Sequence, residues 1–463
     1  MLPAVPLRER VSDARPSRVV SIGRSSPILP AMSLKPSTRR QRLRGLLVDL
    51  EPVRRDRDFR MMWFGQLISG LGRQVTVVVL PLELWNLTRN PLAIGLLAIV
   101  QLVPILIFAL GGGAVADAVD RRKLLLVTQI SLAATSAAFA FLAFLPVPPL
   151  WGFYVVGFVA AGIGAVDQPT RSSAIPRLVP RERLQAAIAV NWLSFQSVAV
   201  IGPVFGGILV TVAGAAWAFS FDVVTFTASI VAVLLIAPIP PHPDAARPSL
   251  RSVAEGLSFT RGHRVVFASF VIDLDAMIFG MPSSLFPQLA LTVFNVGTAG
   301  YGLLTAAPAL GALVGSALTG WTSRVRHPGR GVAVSVAGWG AAMTAFGLLT
   351  ASFPLALLCL AVAGAADVIS AVLRATIVQF ETPDRLRGRV MSIHTLVVTS
   401  GPRLGDAEAA AVAALAGPQF SVVSGGVLCL LGLAAVLRLF PKLLSYEVAR
   451  GDPAPAATES PPQ

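Results

Sequence analysis

Twelve apolar runs, each about the 20 residues that a helix needs to cross hydrocarbon, alternate along this chain with short polar connections. The runs lie near 60–83, 92–116, 122–146, 149–170, 185–213 and 215–238, then near 264–290, 300–322, 330–350, 354–377, 389–416 and 419–440. Of the 38 Lys and Arg, all but Arg73, Arg89 and Arg403 sit in the N-terminal segment, in the even-numbered connections and the run edges that flank them, or at the C-terminal end. Arg89 alone lies in an odd-numbered connection, and Arg73 and Arg403 lie within runs. Basic residues stay on the cytoplasmic side, so both termini and all even-numbered connections are expected there, in a multi-pass protein of a bacterial inner membrane.

Composition agrees. A chain of 463 residues that is 54% hydrophobic and 13% charged, with a mean hydropathy of +0.71, is too apolar for a soluble domain and has lipid as its solvent. Its formal charge of +14 is spread in clusters between the runs, a topological pattern that argues against a nucleic-acid partner. Cys359 and Cys429 fall inside runs and the four histidines are scattered, so neither a disulfide framework nor a metal site is expected. No GxxxxGK[ST] occurs and the lysines are Lys35, Lys123 and Lys442, which argues against an ATP-driven pump or other enzyme. No cofactor is expected.

Residues 1–58 are rich in Arg, Ser and Pro without the apolar core of a signal peptide, and read as a disordered basic tail. Met32 opens a second candidate start, so Met1 and Met32 both stay open. Residues 59–238 and 264–440 read as two six-helix bundles, 239–263 as a cytoplasmic linker with an amphipathic segment, and 441–463 as a C-terminal tail. The bundles repeat. Aligned without gaps, Gly95-Leu96-Leu97 falls on Gly302-Leu303-Leu304 and Gly113 on Gly320; Arg171 and Pro180 recur at equal spacing as Arg374 and Pro383, and Gly202-Pro203 with Gly206 as Gly401-Pro402 with Gly405. Two such halves in parallel orientation form a transporter architecture, all-α and pseudo-symmetric.

The segment GGGAVADAVDRRK, 111–123, resembles the loop signature of the major facilitator superfamily, with Gly113, Asp117, Arg121, Arg122 and Lys123 at matching positions. It departs from the pattern in Ala118, where a basic residue is usual, and Asp120, where Gly is common; the second copy keeps Gly320 but has Arg324 for the Asp. GQLISGLGRQVTVVVLPL, AVDQPTRSSAIPRLVPRERLQAA, IDLDAMIFGMP and SGPRLGD are similar to the drug and siderophore exporter branch, which includes enterobactin and macrolide exporters. The resemblance implies a monomeric secondary exporter of small molecules, driven by a proton gradient, with Asp117 and its basic neighbours gating the cytoplasmic side. An importer of the same fold and a non-transporting sensor or scaffold are the alternatives. GPVFGG resembles the end of an antiporter signature: Pro203 bends the helix, and Gly202, Gly206 and Gly207 permit close approach, with Gly311 and Gly315 as a partner surface.

Ionisable residues inside runs are costly unless they face a cavity or a partner. They are Arg73, Asp167, Asp273, Asp275, Asp367, Arg403, Asp406 and Glu408. At about 1.5 Å per residue, Arg73 and Arg403 lie roughly 20 Å from the basic ends of their helices, and Asp273 and Asp275 roughly 15 Å in. Two residues apart, Asp273 and Asp275 sit on nearly opposite faces. Asp275 shares its face with Phe279 and Phe286, so it is expected in a substrate cavity with aromatic walls, leaving Asp273 toward a neighbouring helix with Arg403 as a partner. A carboxylate without a partner there takes up a proton and can carry it; Asp273, Asp275 and Asp367 are the expected relay. Asp222 and Glu83 read as structural.

Overall fold

The structure is a computed structural model that describes residues 49–240 and 250–447. Twelve long helices account for the runs: α1 Arg57–Thr88, α2 Pro91–Ala118, α3 Arg121–Phe144, α4 Leu150–Leu178, α5 Leu184–Ala213, α6 Ala215–Leu234, α7 Arg264–Phe279 with a broken continuation to Val293, α8 Gly297–Leu318, α9 Pro328–Leu348, α10 Phe353–Glu381, α11 Asp384–Ala416 and α12 Pro418–Leu439. Eleven are long and apolar enough to cross a membrane. The remaining one, α11, is as long, but carries Arg403, Asp406 and Glu408 among small residues. Large apolar side chains such as Phe141, Trp151, Trp192, Val334 and Leu431 project outward, a surface that suits lipid and would aggregate in water.

The repeat is visible as packing. In the first half α1 packs on α5 and α6, α3 on α4 and α6, and α2 on α4; in the second, α7 packs on α11 and α12, α9 on α10 and α12, and α8 on α10. The halves meet through α5 with α8 and α2 with α11, pairs that exchange under the same symmetry. Gly214 and Gly417, with φ of 84° and 90°, reverse the chain between α5 and α6 and between α11 and α12. A side chain there would be strained, so only glycine turns the corner at low cost.

Several elements differ from the expected runs. A short helix, Glu51–Arg55, and the first turn of α1 precede the first run, held by Asp56 against Arg183 at 3.1 Å and by Arg60 donating to the Arg54 carbonyl at 3.2 Å; residues 1–48 lie outside the described ones. α7 breaks after Phe279, at Gly280-Met281-Pro282. Trp339 donates to the Gly280 carbonyl at 2.9 Å, and Asp406 accepts from the Ser284 amide at 2.7 Å and the Ser283 hydroxyl at 2.6 Å. These partners satisfy backbone groups that a membrane helix cannot leave bare. Within the connecting segment, the described residues Leu250–Gly262 form a helix that packs on α11.

The apolar clusters are divided unevenly. At the ends that carry the Lys and Arg, Phe59, Met62, Leu125, Ile175 and Val233 pack within the first half, and Val266, Phe270, Val378 and Val390 within the second. At the opposite ends the clusters cross: Val78 and Leu82 of α1 are buried among second-half residues, and Leu291 packs into a first-half cluster.

Candidate functional site

Between the halves lies a cavity of about 790 Å³, within the size range of small-molecule sites. Its wall runs from Thr76 and Leu80 of α1 to Gln168 and Ser172 of α4, with Gln101 and Phe108 of α2, Ser136 and Phe139 of α3, Asp222 and Phe226 of α6, and one face of α11. Arg73, Asp222 and Arg403 are the ionisable residues of that wall.

Asp167 is fully buried behind Arg73, which approaches it at 3.7 Å. Its main counter-ion is Arg171 at 2.8 Å, one turn along α4, and Thr128 and Gln129 of α3 donate to it at 2.7 and 2.8 Å. In the second half Arg374 of α10 holds Asp273 at 2.6 Å, donates to the Ser370 hydroxyl oxygen at 2.7 Å and reaches Asp367 at 4.0 Å. The expected pairing of Asp273 with Arg403 is therefore replaced by Asp273 with Arg374. Arg171 and Arg374 fall at the ends of their apolar runs and so go with the basic connections in the sequence; the helices continue past both and bury them. Their recurrence as a repeat pair was the signal: two arginines at one symmetry position serve a common role better than two loops do.

The aromatic carboxylate pocket is also relocated. Asp275 lies against Gly432 of α12, where any Cβ would collide with its carboxylate, and it is not among the cavity-lining residues. The break in α7 turns the following residues away from the helical register, so Phe286 is buried against Phe346; Phe279, which ends α7 ahead of the break, packs on the second-half core. Asp406 fastens α11 to the α7 break, and Glu408 makes no hydrogen bond or ion pair among the described residues. Asp222, read as structural, instead borders the cavity and accepts from Thr76 and Ser136 at 2.6 and 2.8 Å.

Of the glycines, Gly202 and Gly206 pack on Gln74 and Val75 of α1 within the first half, and Pro203 and Gly207 meet α8. A Cβ on Gly207 would come 2.6 Å from the Thr298 carbonyl oxygen and 3.1 Å from the Gly302 Cα. Gly311 and Gly315, expected as the partner surface, face Ala361 and Ala365 of α10 instead; the partner is Gly302, one of the repeat glycines. At the α2–α3 turn, Asp120 caps α3 by accepting from the Arg122 amide at 2.8 Å and the Lys123 amide at 3.4 Å. Arg122 donates to the Val233 and Leu234 carbonyls at 3.1 and 2.6 Å, and Arg121 to Ser173 at 3.0 Å. These contacts join elements of one half. The side chains of 109–118, and with them Gly113 and Asp117, lie outside the described residues.

The chain is 27% identical over 394 residues to the enterobactin exporter EntS of Citrobacter koseri, covering 85% of this chain and 94% of that protein. It is 26% identical over 400 residues to the enterobactin exporter EntS of Escherichia coli O1:K1, with the same coverage. Among solved structures, a POT family transporter in complex with 5-aminolevulinic acid is similar at a TM-score of 0.68 and 12% identity, over 84% of this chain and 97% of that one. The nucleoside transporter NupG is similar at 0.66 and 14%, over 83% and 100%. A family of transmembrane secretion effectors matches residues 48–457. With its two symmetry-related bundles around a central cavity, the chain belongs to that family within the major facilitator superfamily and is a membrane transporter.

Proposed function

We propose that the protein is a secondary exporter of small lipophilic molecules, of the drug or siderophore class, that works by alternating access and is driven by the proton gradient. The observation that carries this is the uneven division of the interface: apolar clusters and backbone contacts cross between the halves at one end, while the cavity and two separate apolar clusters occupy the basic end. With that end in the cytoplasm, as the placement of Lys and Arg implies, the arrangement corresponds to the cytoplasm-facing member of a pair of states. The relatives named as enterobactin exporters support the outward direction.

In this reading Asp273 and Asp367, which share Arg374, and Asp275 exchange protons with the transport cycle, and the 113–123 loop gates the cytoplasmic side. The test is a screen in a bacterial strain stripped of its own efflux pumps. Expression should lower the accumulation of one or more drugs or siderophores, and a protonophore should restore it. Greater uptake in the expressing cells would reverse the direction. Undiminished drug-induced proton flux in vesicles with Asn at each of the three aspartates would remove the coupling role, and normal export by Asp117→Asn would remove the gate.

A further inference from the structure

α11 turns one continuous face to the cavity: Ser392, Thr395, Thr399 and Arg403, spaced three or four residues apart so that they stack along the helix. The three hydroxyls donate to carbonyls of their own helix, those of Gly388, Met391 and Thr395, at 2.9, 3.0 and 2.7 Å. Their protons are thus engaged, and what they offer the cavity is lone pairs. Arg403 ends the stripe with the reverse character, a fixed positive charge and a fork of N–H donors.

Each of the other arginines around the cavity has a carboxylate within ion-pair reach. In the first half Arg171 and Arg73 face Asp167 and Asp222. In the second, Arg374 is matched by Asp273 and Asp367. Arg403 makes neither a hydrogen bond nor an ion pair among the described residues. The carboxylate that acts on it electrostatically is Asp406, and that group is committed to Ser283 and Ser284 at the α7 break. A guanidinium in the wall of an apolar cavity is favourable when a counter-ion can come to it.

We infer that Arg403 is the cargo-binding cation of the cavity and that the cargo is an organic anion: a carboxylate or phenolate on an apolar or aromatic body. The acid group pairs with Arg403, hydrogen-bond donors of the cargo meet the Ser392, Thr395 and Thr399 oxygens, and the apolar body rests on Leu80, Phe108 and Phe139. This deepens the export reading by naming its substrate class, and rests on that reading for the word cargo.

The test measures binding of three isosteric probes, 2-naphthoate, 2-naphthamide and 2-naphthylmethylammonium, to the full chain in phosphatidylcholine nanodiscs by naphthalene fluorescence polarisation. Naphthoate should bind about tenfold or more tightly than either other probe. Arg403→Gln should abolish that preference, and Arg403→Lys should keep part of it. The inference is overturned by absent naphthoate binding, by equal affinity for the three probes, or by an unchanged preference in Arg403→Gln. Should that variant fail to fold, the wild-type comparison and Arg403→Lys still decide. Adding phosphatidylglycerol separates the sources of the anion: unchanged naphthoate affinity supports a soluble cargo, and its loss assigns the site to a lipid headgroup and overturns the proposal. Naphthoate preference without efflux in the pump-stripped strain would sink the export reading and leave the anion site standing. Efflux by a wild-type protein with no preference would do the opposite.

Discussion

Arg374 of α10 and Asp273 of α7 are 2.6 Å apart, with 3% and 0% of their side chains exposed. The pair ties together the two helices that mirror α4 and α1, where Arg171, Asp167 and Arg73 form the corresponding cluster. Losing one partner of such a pair strands a charge away from water, at a cost of about 3–5 kcal/mol. Arg374→Gln should therefore lower the thermal midpoint of the detergent-solubilised protein sharply, and Arg374→Gln with Asp273→Asn should recover part of the loss. A single variant that melts with the wild type would contradict the pairing.

At the sealed end, Gly207→Val places a branched side chain where Thr298 and Gly302 already approach. The halves must part there, so a cysteine in place of Thr298 should react faster with a membrane-impermeant maleimide in the Gly207→Val background than in the wild type. Equal labelling rates would show that the seam yields without opening.

Asp120 caps α3 through two amides. Asp120→Ala should cost about 1 kcal/mol, read as a small fall in thermal midpoint. Asp120→Asn, which keeps an accepting oxygen, should recover most of it.

Glu255 of the connecting helix pairs with Arg389 of α11, with about two-fifths of each side chain exposed. An ion pair this accessible contributes less than about 1 kcal/mol. Glu255→Ala should leave the global melt unchanged while amide exchange accelerates within the connecting helix. A large fall in the midpoint would give the tether a structural weight that exposed pairs lack.

The helices and their duplication were legible because hydropathy and repeated glycines are properties of the chain itself. Side-chain direction was less so. Asp275 and Phe286 share a face only on an unbroken helix, and Gly280 and Pro282 break it. Arg171 and Arg374 looked like residues of the basic connections because they fall at the ends of their apolar runs, yet a membrane helix continues through polar residues when a partner helix supplies counter-charges, as Asp273 does for Arg374. Asp222 sits seven residues into α6, and only the packing of α1 and α3 around it reveals that it borders the cavity. The hydroxyl stripe of α11 was present as a three-to-four-residue spacing, but the direction in which that face looks depends on the halves being assembled.

Where Gly207 and Gly302 meet, main chain rests on main chain, with the hydroxyls of Thr211 and Thr298 as the side-chain link beside them. Such a joint acts as a plain bearing more than as a latch: it can tilt without resetting any bulky rotamer. Resistance to separation then comes chiefly from wetting Val78, Leu82 and the other apolar residues that cross between the halves. In the alternating-access cycle proposed above, the tempo of the change of face is then set by water entering a greasy crevice, a barrier expected to rise with each methylene added along that crevice and to be indifferent to ionic strength.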